Sequence, residues 1–484
     1  MTPTKNDHAS AGVTKKLCQW IQDIDLADIP EDVHVRAKYL ILDGLACAVV
    51  GSRLPWTETA AQTVFSMELA GNCKVWGYDD KAVTPLSAAL LNSTAIQAFE
   101  LDDWHLSAPL HSNSIILPAL FAAASQQATS NSTSINGTRF LLSVIVGYET
   151  GPRVGLGLYG AHMLTRGWHS GAVFGPSASA AAVSKLLNLP TDAIEDALGI
   201  ACTQAGGLMS AQFGSDVKRM QHGFAARNGL FAALLAQNGY RGIKNVYDEG
   251  YGGFLAMFGQ GSGKEPACVP AEVCKELGET WQSRLIRVKH HSSMAGTHCT
   301  IDCVQALQDK YPDKLSDLDA IAGIRIGMTE AAFHHGGFDV KRPLTTTSAQ
   351  MSAAYTAAVQ LVDGQVLPNQ FRDEQLDRDV VWNLIEKMKC FYALDLGDER
   401  YAQRVTITLN DGTELSETLD NPRSVSPGLS NEEILEKWRR LTQGIMDEKT
   451  RDRIERLVLD IETLEDVRIL DDLMSTCVSN PLLN

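Results

Sequence analysis

Positive charge is what this chain is short of. Its 42 Lys and Arg face 58 Asp and Glu, a formal net charge of −16 over 484 residues. A nucleic-acid partner would favour a basic surface, so that class is set aside. An anionic substrate is also opposed by the overall field, and a site for one must gather its own local positive charge. Uninterrupted apolar runs of about 18 residues are absent, so no membrane span is expected. The ten cysteines form no CxxC pair and no disulfide-like rhythm, and several, such as Cys47 and Cys202, sit in apolar helical surroundings. They read as small core residues in a reducing compartment. The first residues carry neither an apolar signal core nor an Arg-rich amphipathic leader. A cytoplasmic location is the expectation.

Motifs of common enzyme classes are also missing. There is no HExxH, and the His-His pairs at 290–291 and 334–335 are not zinc signatures, so no metal is expected. GxSxG, Walker A and a GxGxxG in strand context do not occur; Gly155-Leu-Gly-Leu-Tyr-Gly is a weak match. Acid/base chemistry without a cofactor, on an anionic small molecule, is what this leaves.

What is present is mostly helical, in a chain long enough for two domains. After a tail expected to be disordered over residues 1–12, helical periodicity or Ala-rich apolar texture covers Lys15–Asp25, Asp32–Val50 and further stretches. These are 56–68, 85–99, 114–127, 137–150, 171–187, 191–205, 218–237 and 243–248. Near Trp281 the texture changes. Arg284–Lys289 and Ala320–Thr329 alternate like strands, and Thr297–Lys310 and Ser348–Val362 read as helices. Arg404–Thr418 reads as a hairpin turning at Asn410-Asp411-Gly412. From Asn431 to about Leu473 the chain is helical again. The fold class expected is mainly α: a large all-helical domain (13–280 and a return over 427–484) with an inserted α+β lid domain at 281–426.

Four polar constellations interrupt this apolar background. Phe99–His111 packs Glu100, Asp102, Asp103, His105 and His111 between two apolar runs, and reads either as a cap and turn or as an active site. His169, in Thr165-Arg-Gly-Trp-His-Ser-Gly-Ala, precedes a helix start, where it serves as a cap or beside an anion. Lys218 and His222 stand four apart, on one face of an expected helix, with Arg219 and Arg227 near. That segment is a solvated basic face or a site for negative charge. Lys289-His-His-Ser-Ser-Met-Ala-Gly-Thr-His298 is a polar domain-boundary loop or an anion pocket.

Longer stretches carry a resemblance. Arg36–Ala48, Phe99–His105, Leu110-His-Ser, Gly147-Tyr-Glu-Thr-Gly-Pro-Arg, Gly167–Gly175, Asp196–Ala205 and Val217–Gly229 together resemble the MmgE/PrpD superfamily, over about residues 13–484. The resemblance implies a helical domain plus inserted lid, a homodimer, an active site in the cleft and no cofactor. It implies cofactor-independent decarboxylation of an aconitate-type unsaturated tricarboxylate, most simply cis-aconitate to itaconate plus CO2. It places the site histidines at His111 and His169, the site lysines at Lys218 and Lys289, the acidic group at Glu100, Asp102 and Asp103, and a further histidine at His298. Lys218 and Lys289 would hold carboxylates and stabilise developing charge, His111 or His169 would donate the proton, and the acids would orient and keep protonated the neighbouring histidine. Dehydration of 2-methylcitrate or another alkylcitrate, decarboxylation of an alkylated or isomeric aconitate, and a catalytically silent helical dimer are the alternatives. The pattern departs from many relatives at His290-His-Ser-Ser-Met-Ala and at Val340, where some decarboxylases have tyrosine. Both positions are expected at the pocket.

Overall fold

A computed structural model describes residues 12–131, 133–397 and 400–483. The tail expected over residues 1–12 lies outside these apart from Gly12, whose carbonyl accepts from Lys16 N at the start of the first helix (3.1 Å). The chain is mainly α. Helices Val13–Asp23, Glu31–Gly51, Pro55–Met67, Pro85–Gln97, Ser112–Asn131, Gly137–Leu156, Ser170–Leu186, Thr191–Cys202 and Gln221–Gln237 occupy the ranges where apolar and Ala-rich texture is expected to be helical. Two of them open on proline, whose fixed φ suits the first helical turn and whose missing N–H costs nothing there.

Ser170–Leu186 is buried along its whole length, which explains why it has no polar face. Its Ala, Gly and Ser residues allow neighbouring backbones to come close. A Cβ at Gly229, on the helix Gln221–Gln237, would stand 2.4 Å from Ser179 Cβ. Close packing of these two helices therefore depends on the missing side chain.

The later part of the chain carries a four-stranded sheet, in the order Met388–Tyr392, Ile321–Met328, Gln403–Leu409, Glu414–Leu419. Ile321–Met328 runs parallel to Met388–Tyr392 and antiparallel to Gln403–Leu409. The last two strands form the expected hairpin, with Gly412 at φ 84° in its turn. Helices His298–Lys310 and Ala353–Asp363 pack on one another and against this sheet. The chain then returns to the first helices through Asn431–Thr442, Glu448–Leu459 and Arg468–Met474. Lys437 Nζ reaches Asp43 Oδ1 (2.5 Å), and Trp76 Nε1 donates to Asp471 Oδ1 (2.8 Å), so the return is pinned by buried polar contacts. Among the described residues no helix is long and apolar enough to cross a membrane.

Several local expectations are corrected. Residues 243–248 form turns rather than a helix: Asn245 takes φ 52°, and the carboxylates of Asp196 and Glu195 accept from Gly242 N (3.0 Å) and Asn245 N (2.8 Å). The stretch Ser348–Val362 is two helices, because Ser352 leaves helical geometry (ψ 122°) and its hydroxyl accepts from Tyr355 N at the second N-terminus. Of Arg284–Lys289 only Ile286–Arg287 is strand, since Gln282–Leu285 form a 3₁₀ turn. Lys218 and His222 do not share a helix. Lys218 belongs to the 3₁₀ turn Asp216–Arg219, and the helix begins at Gln221 after Met220 bends away (φ −107°, ψ −11°).

Candidate active site

A two-residue strand organises the site. Trp104–His105 pairs antiparallel with Ile286–Arg287, in the register Trp104↔Arg287 and His105↔Ile286. Two residues further along that register stand Asp102 and Lys289, and Lys289 Nζ lies 3.7 Å from Asp102 Oδ1. A short ladder thus joins residues almost two hundred positions apart. Beyond it, His105 Nδ1 accepts from Ala108 N (3.0 Å) and His105 N donates to Leu110 O (3.0 Å), which folds the loop that presents His111.

Glu100 is the hub of the positive charge. Its backbone sits in the left-handed region at φ 56°, a costly conformation for a residue with a side chain. Its carboxylate contacts Lys218 Nζ, Arg219 Nη1 (2.7 Å) and Lys289 Nζ (2.9 Å), all essentially buried. Arg219 is held further by Gln350 Oε1 (2.6 Å), whose amide donates to Phe99 O (2.9 Å) and Ser292 O (3.1 Å). Burial and the adjacent Arg219 and Lys289 charges push the Lys218 ammonium well down. The Glu100 contact opposes this, because an opposite charge favours the ionised form. Burial also lowers Lys289, against the pull of Asp102.

The three carboxylates of the cluster do three different things. Asp102 Oδ2 lies 3.0 Å from His111 Nδ1. Burial would raise Asp102, yet His111 and Lys289 outweigh it and hold the carboxyl at about 2. Asp103 points the other way. Its oxygens accept from Ser112 N (2.8 Å) and Asn113 N (3.0 Å), capping the helix Ser112–Asn131, and burial together with the Asp102 charge pushes it up to about 7. The cap-and-turn reading therefore holds for Asp103 and, through its loop contacts, for His105, while Glu100 and Asp102 pair with the cations and His111.

Three imidazoles cluster at the cavity, two in its wall and His222 behind them. His222 lies between His111 and His169, with ring centroids 4.9 and 5.0 Å away. Gln97 and Ser114 bond its two ring nitrogens (3.3 and 2.9 Å), and burial with the neighbouring charges keeps it far below the usual range, hence neutral. His169 precedes the helix Ser170–Leu186; burial, then the charge of His111, pushes it down to about 3. Its Nδ1 is buried without a hydrogen-bond partner among the described residues. Close approach here also needs glycine: a Cβ at Gly171 would sit 2.2 Å from His222 Nε2.

These groups open onto a cavity of about 350 Å³, a size that suits a small metabolite. Glu100, His111, His169, Lys218 and Lys289 line it, while Asp102 stands behind His111. Two expected site residues are elsewhere. Asp103 is a helix cap. His298 is buried off the cavity, with Nδ1 against Ser424 Oγ (3.0 Å) and Nε2 against Ser293 O (3.2 Å), because the helix it begins faces the sheet. Val340 is likewise not in the wall, and the His290–Ala295 departure reaches the cavity only through Met294 and Ala295. The remaining wall includes Leu164, Met209, Ala331, Ala332, His335, Met351, Arg400 and Tyr401, of which the sequence noted only His335, and only as part of a pair that is not a zinc signature. His335, Arg400 and Tyr401 come from segments beside the sheet, where nothing in their local pattern distinguishes them from surface polar residues. Among the described residues no group of three or more His, Cys, Asp or Glu is placed to hold a metal ion, and all ten cysteines are free.

The description "MmgE/PrpD N-terminal domain" matches residues 15–266, and "MmgE/PrpD C-terminal domain" matches residues 291–463. The chain belongs to the MmgE/PrpD family. The two MmgE/PrpD matches meet across the cavity: the first contains Glu100, His111, His169 and Lys218, and the second contains Met294, His335, Met351 and Arg400. Lys289 lies just before the second. Within the family the chain is 49% identical to a cis-aconitate decarboxylase-like protein, oryM, of Aspergillus oryzae, over 96% of this chain and 97% of that one. It is 45% identical to a cis-aconitate decarboxylase of Aspergillus terreus over 99% of both chains. A Homo sapiens cis-aconitate decarboxylase is 27% identical over 96% of this chain and 94% of its own.

Proposed function

We propose that this protein is a carboxy-lyase that decarboxylates an aconitate-type unsaturated tricarboxylate without a cofactor, with cis-aconitate as the first substrate to test. The observation that carries this reading is one carboxylate, Glu100, gathering three cations, two of which, Lys218 and Lys289, line a small cavity together with a histidine held by a second carboxylate. Full-length similarity to fungal cis-aconitate decarboxylases supports it.

The chemistry asks for little more. cis-Aconitate bears a CH2-carboxylate on a double bond conjugated to another carboxylate. When the C–CO2 bond breaks, its electron pair moves through the allyl system and charge collects on the far carbon and its carboxylate. Cations fixed in a buried site stabilise that charge without having to reorganise. A proton delivered to the far carbon then leaves a terminal methylene, itaconate. Lys218 and Lys289 hold the carboxylates in this reading. His111, oriented by the Asp102 carboxylate, is the proton donor. His169, pushed down to about 3, serves as a neutral hydrogen-bonding wall rather than the acid. The Gln403–Leu409 sheet and its helices act as a lid over the cavity, and the protein works as a cytoplasmic homodimer. Leu208 and Val217, exposed apolar residues near the Lys218 turn, suit a surface covered by a second copy.

A second substrate reading rests on the apolar part of the lining. Leu164, Met209, Met294, Met351, Ala331 and Ala332 form an apolar, adaptable surface that a small trianion does not need. An alkyl-bearing aconitate would place its chain there. Purified protein incubated with cis-aconitate, trans-aconitate, an alkylaconitate and 2-methylcitrate separates these readings. CO2 from cis-aconitate supports the first, CO2 mainly from the alkylated acid supports the second, and water loss without CO2 points to a dehydratase. No turnover of any of them removes the enzymatic reading.

A further inference from the structure

The cations around Glu100 are already largely spent. Lys218, Arg219 and Lys289 face the carboxylates of Glu100 and Asp102, and Asp102 is shared with His111. A tricarboxylate brings three negative charges into a chain that is itself strongly acidic, so this end of the cavity alone balances the substrate poorly. A further cation on the cavity surface would improve that balance.

Arg400 fits that need. It lines the cavity from the turn leading into the strand Gln403–Leu409, where its carbonyl accepts from Thr329 Oγ1 (3.3 Å) just beyond the strand Ile321–Met328. Nη1 donates to Leu106 O (2.6 Å), and the guanidinium carbon stands 5.1 Å from the centre of the Tyr401 ring. These contacts fix the head group against Leu106, on the loop that carries His111. No carboxylate among the described residues lies within ion-pair distance of it, in contrast to Arg284, Arg342, Arg378 and Arg404. An anchored guanidinium in a cavity wall, with N–H groups that no described residue takes, is a preformed fork for a carboxylate.

We propose that Arg400 binds one carboxylate of the substrate, so that the tricarboxylate spans the cleft between the Lys218–Lys289 pair and this guanidinium. The inference rests on the tricarboxylate reading given above. It adds a specificity consequence: the site selects for a third carboxylate, and it does so through a residue of the C-terminal part of the chain. The bond to Leu106 O then joins substrate, sheet segment and His111 loop in one contact.

Competitive inhibition by two saturated analogues isolates this role. Tricarballylate has three carboxylates and glutarate two, and neither can be decarboxylated by the allylic route. In Arg400→Gln the inhibition constant for tricarballylate is expected to rise by about tenfold or more, and that for glutarate by about twofold or less. Arg400→Lys, which keeps the charge but not the fork, should fall between. KM for the turned-over substrate should rise with the tricarballylate constant. Equal losses for the two inhibitors, as a purely structural role through Leu106 would give, overturn the proposal, and so does an unchanged tricarballylate constant. A wild-type protein that binds neither inhibitor and releases no CO2 overturns instead the tricarboxylate reading on which it rests.

Discussion

Glu100, Asp102 and Asp103 show how far chemistry depends on context at the scale of one residue. All three are buried carboxylates within four positions, yet one gathers cations, one holds a histidine and one caps a helix. The sequence made the cluster conspicuous, because so much charge between apolar runs must be satisfied or used. It could not divide the roles, since these are set by partners such as Lys218 and Lys289, far away along the chain. The resemblance named two histidines and two lysines that the fold brings to one cavity, and also carried in Asp103 and His298, whose side chains the backbone turns elsewhere. Substitutions should separate these groups. His111→Ala is expected to cost about 100- to 10,000-fold in turnover, with an unchanged melting curve. Lys218→Ala should cost about 100-fold or more for loss of charge stabilisation. Asp103→Ala should instead lower stability by about 1–2 kcal/mol, measured by urea unfolding, while KM stays close to wild type. A large KM change in Asp103→Ala would return it to the substrate site.

Elements place these residues more than local propensity does. Long buried helices were legible from Ala-rich apolar runs, and the hairpin from its Asn-Asp-Gly turn. The pairing of Trp104–His105 with Ile286–Arg287 was not, because two-residue strands leave no periodic signal and their register is a long-range property. For the same reason the route of Lys218 into the cavity, from a 3₁₀ turn rather than a helix face, had no sequence signature. Helix packing at the histidine stack gives a test at this scale. Gly171→Ala would force a methyl to within 2.2 Å of His222 Nε2. Overpacking of this kind costs about 1–3 kcal/mol, and the displaced His222 ring would press on His111 and His169. The variant should therefore lose both stability and kcat, whereas a fall in stability alone would mean that the stack does not position the catalytic ring.

On the scale of the whole molecule, the C-terminal return closes the structure around the site. Lys437 donates to Asp43 and also to Leu101 O (2.7 Å), the residue between Glu100 and Asp102, so the last helices brace the acidic loop directly. Asp471 anchors the same return to Trp76 and Ser125, and burial pushes its carboxyl up to about 6. Its folded value lies above its ordinary one, so the native state holds a proton that the unfolded chain has lost. Stability from this group is present below about pH 4 and is lost as pH rises through about 6. Asp471→Asn, which cannot ionise, should lose this part of the pH dependence, a difference on the order of 1–3 kcal/mol between pH 4 and 7 in urea unfolding. Parallel curves for the two proteins would contradict the burial argument. Changes of texture near Trp281 and again from Asn431 were visible in the composition, but only the fold reveals that the last helices touch the acidic loop at Leu101.

In the proposed reaction CO2 leaves one arm of an unsaturated tricarboxylate while a proton arrives at the far carbon. Turnover of cis-aconitate in D2O, followed by NMR of the product, reads both events at once. The predicted result is one equivalent of CO2 and itaconate carrying a single deuterium on the saturated CH2 carbon, with none on the terminal methylene. Deuterium on the methylene, or loss of water without CO2, would contradict it.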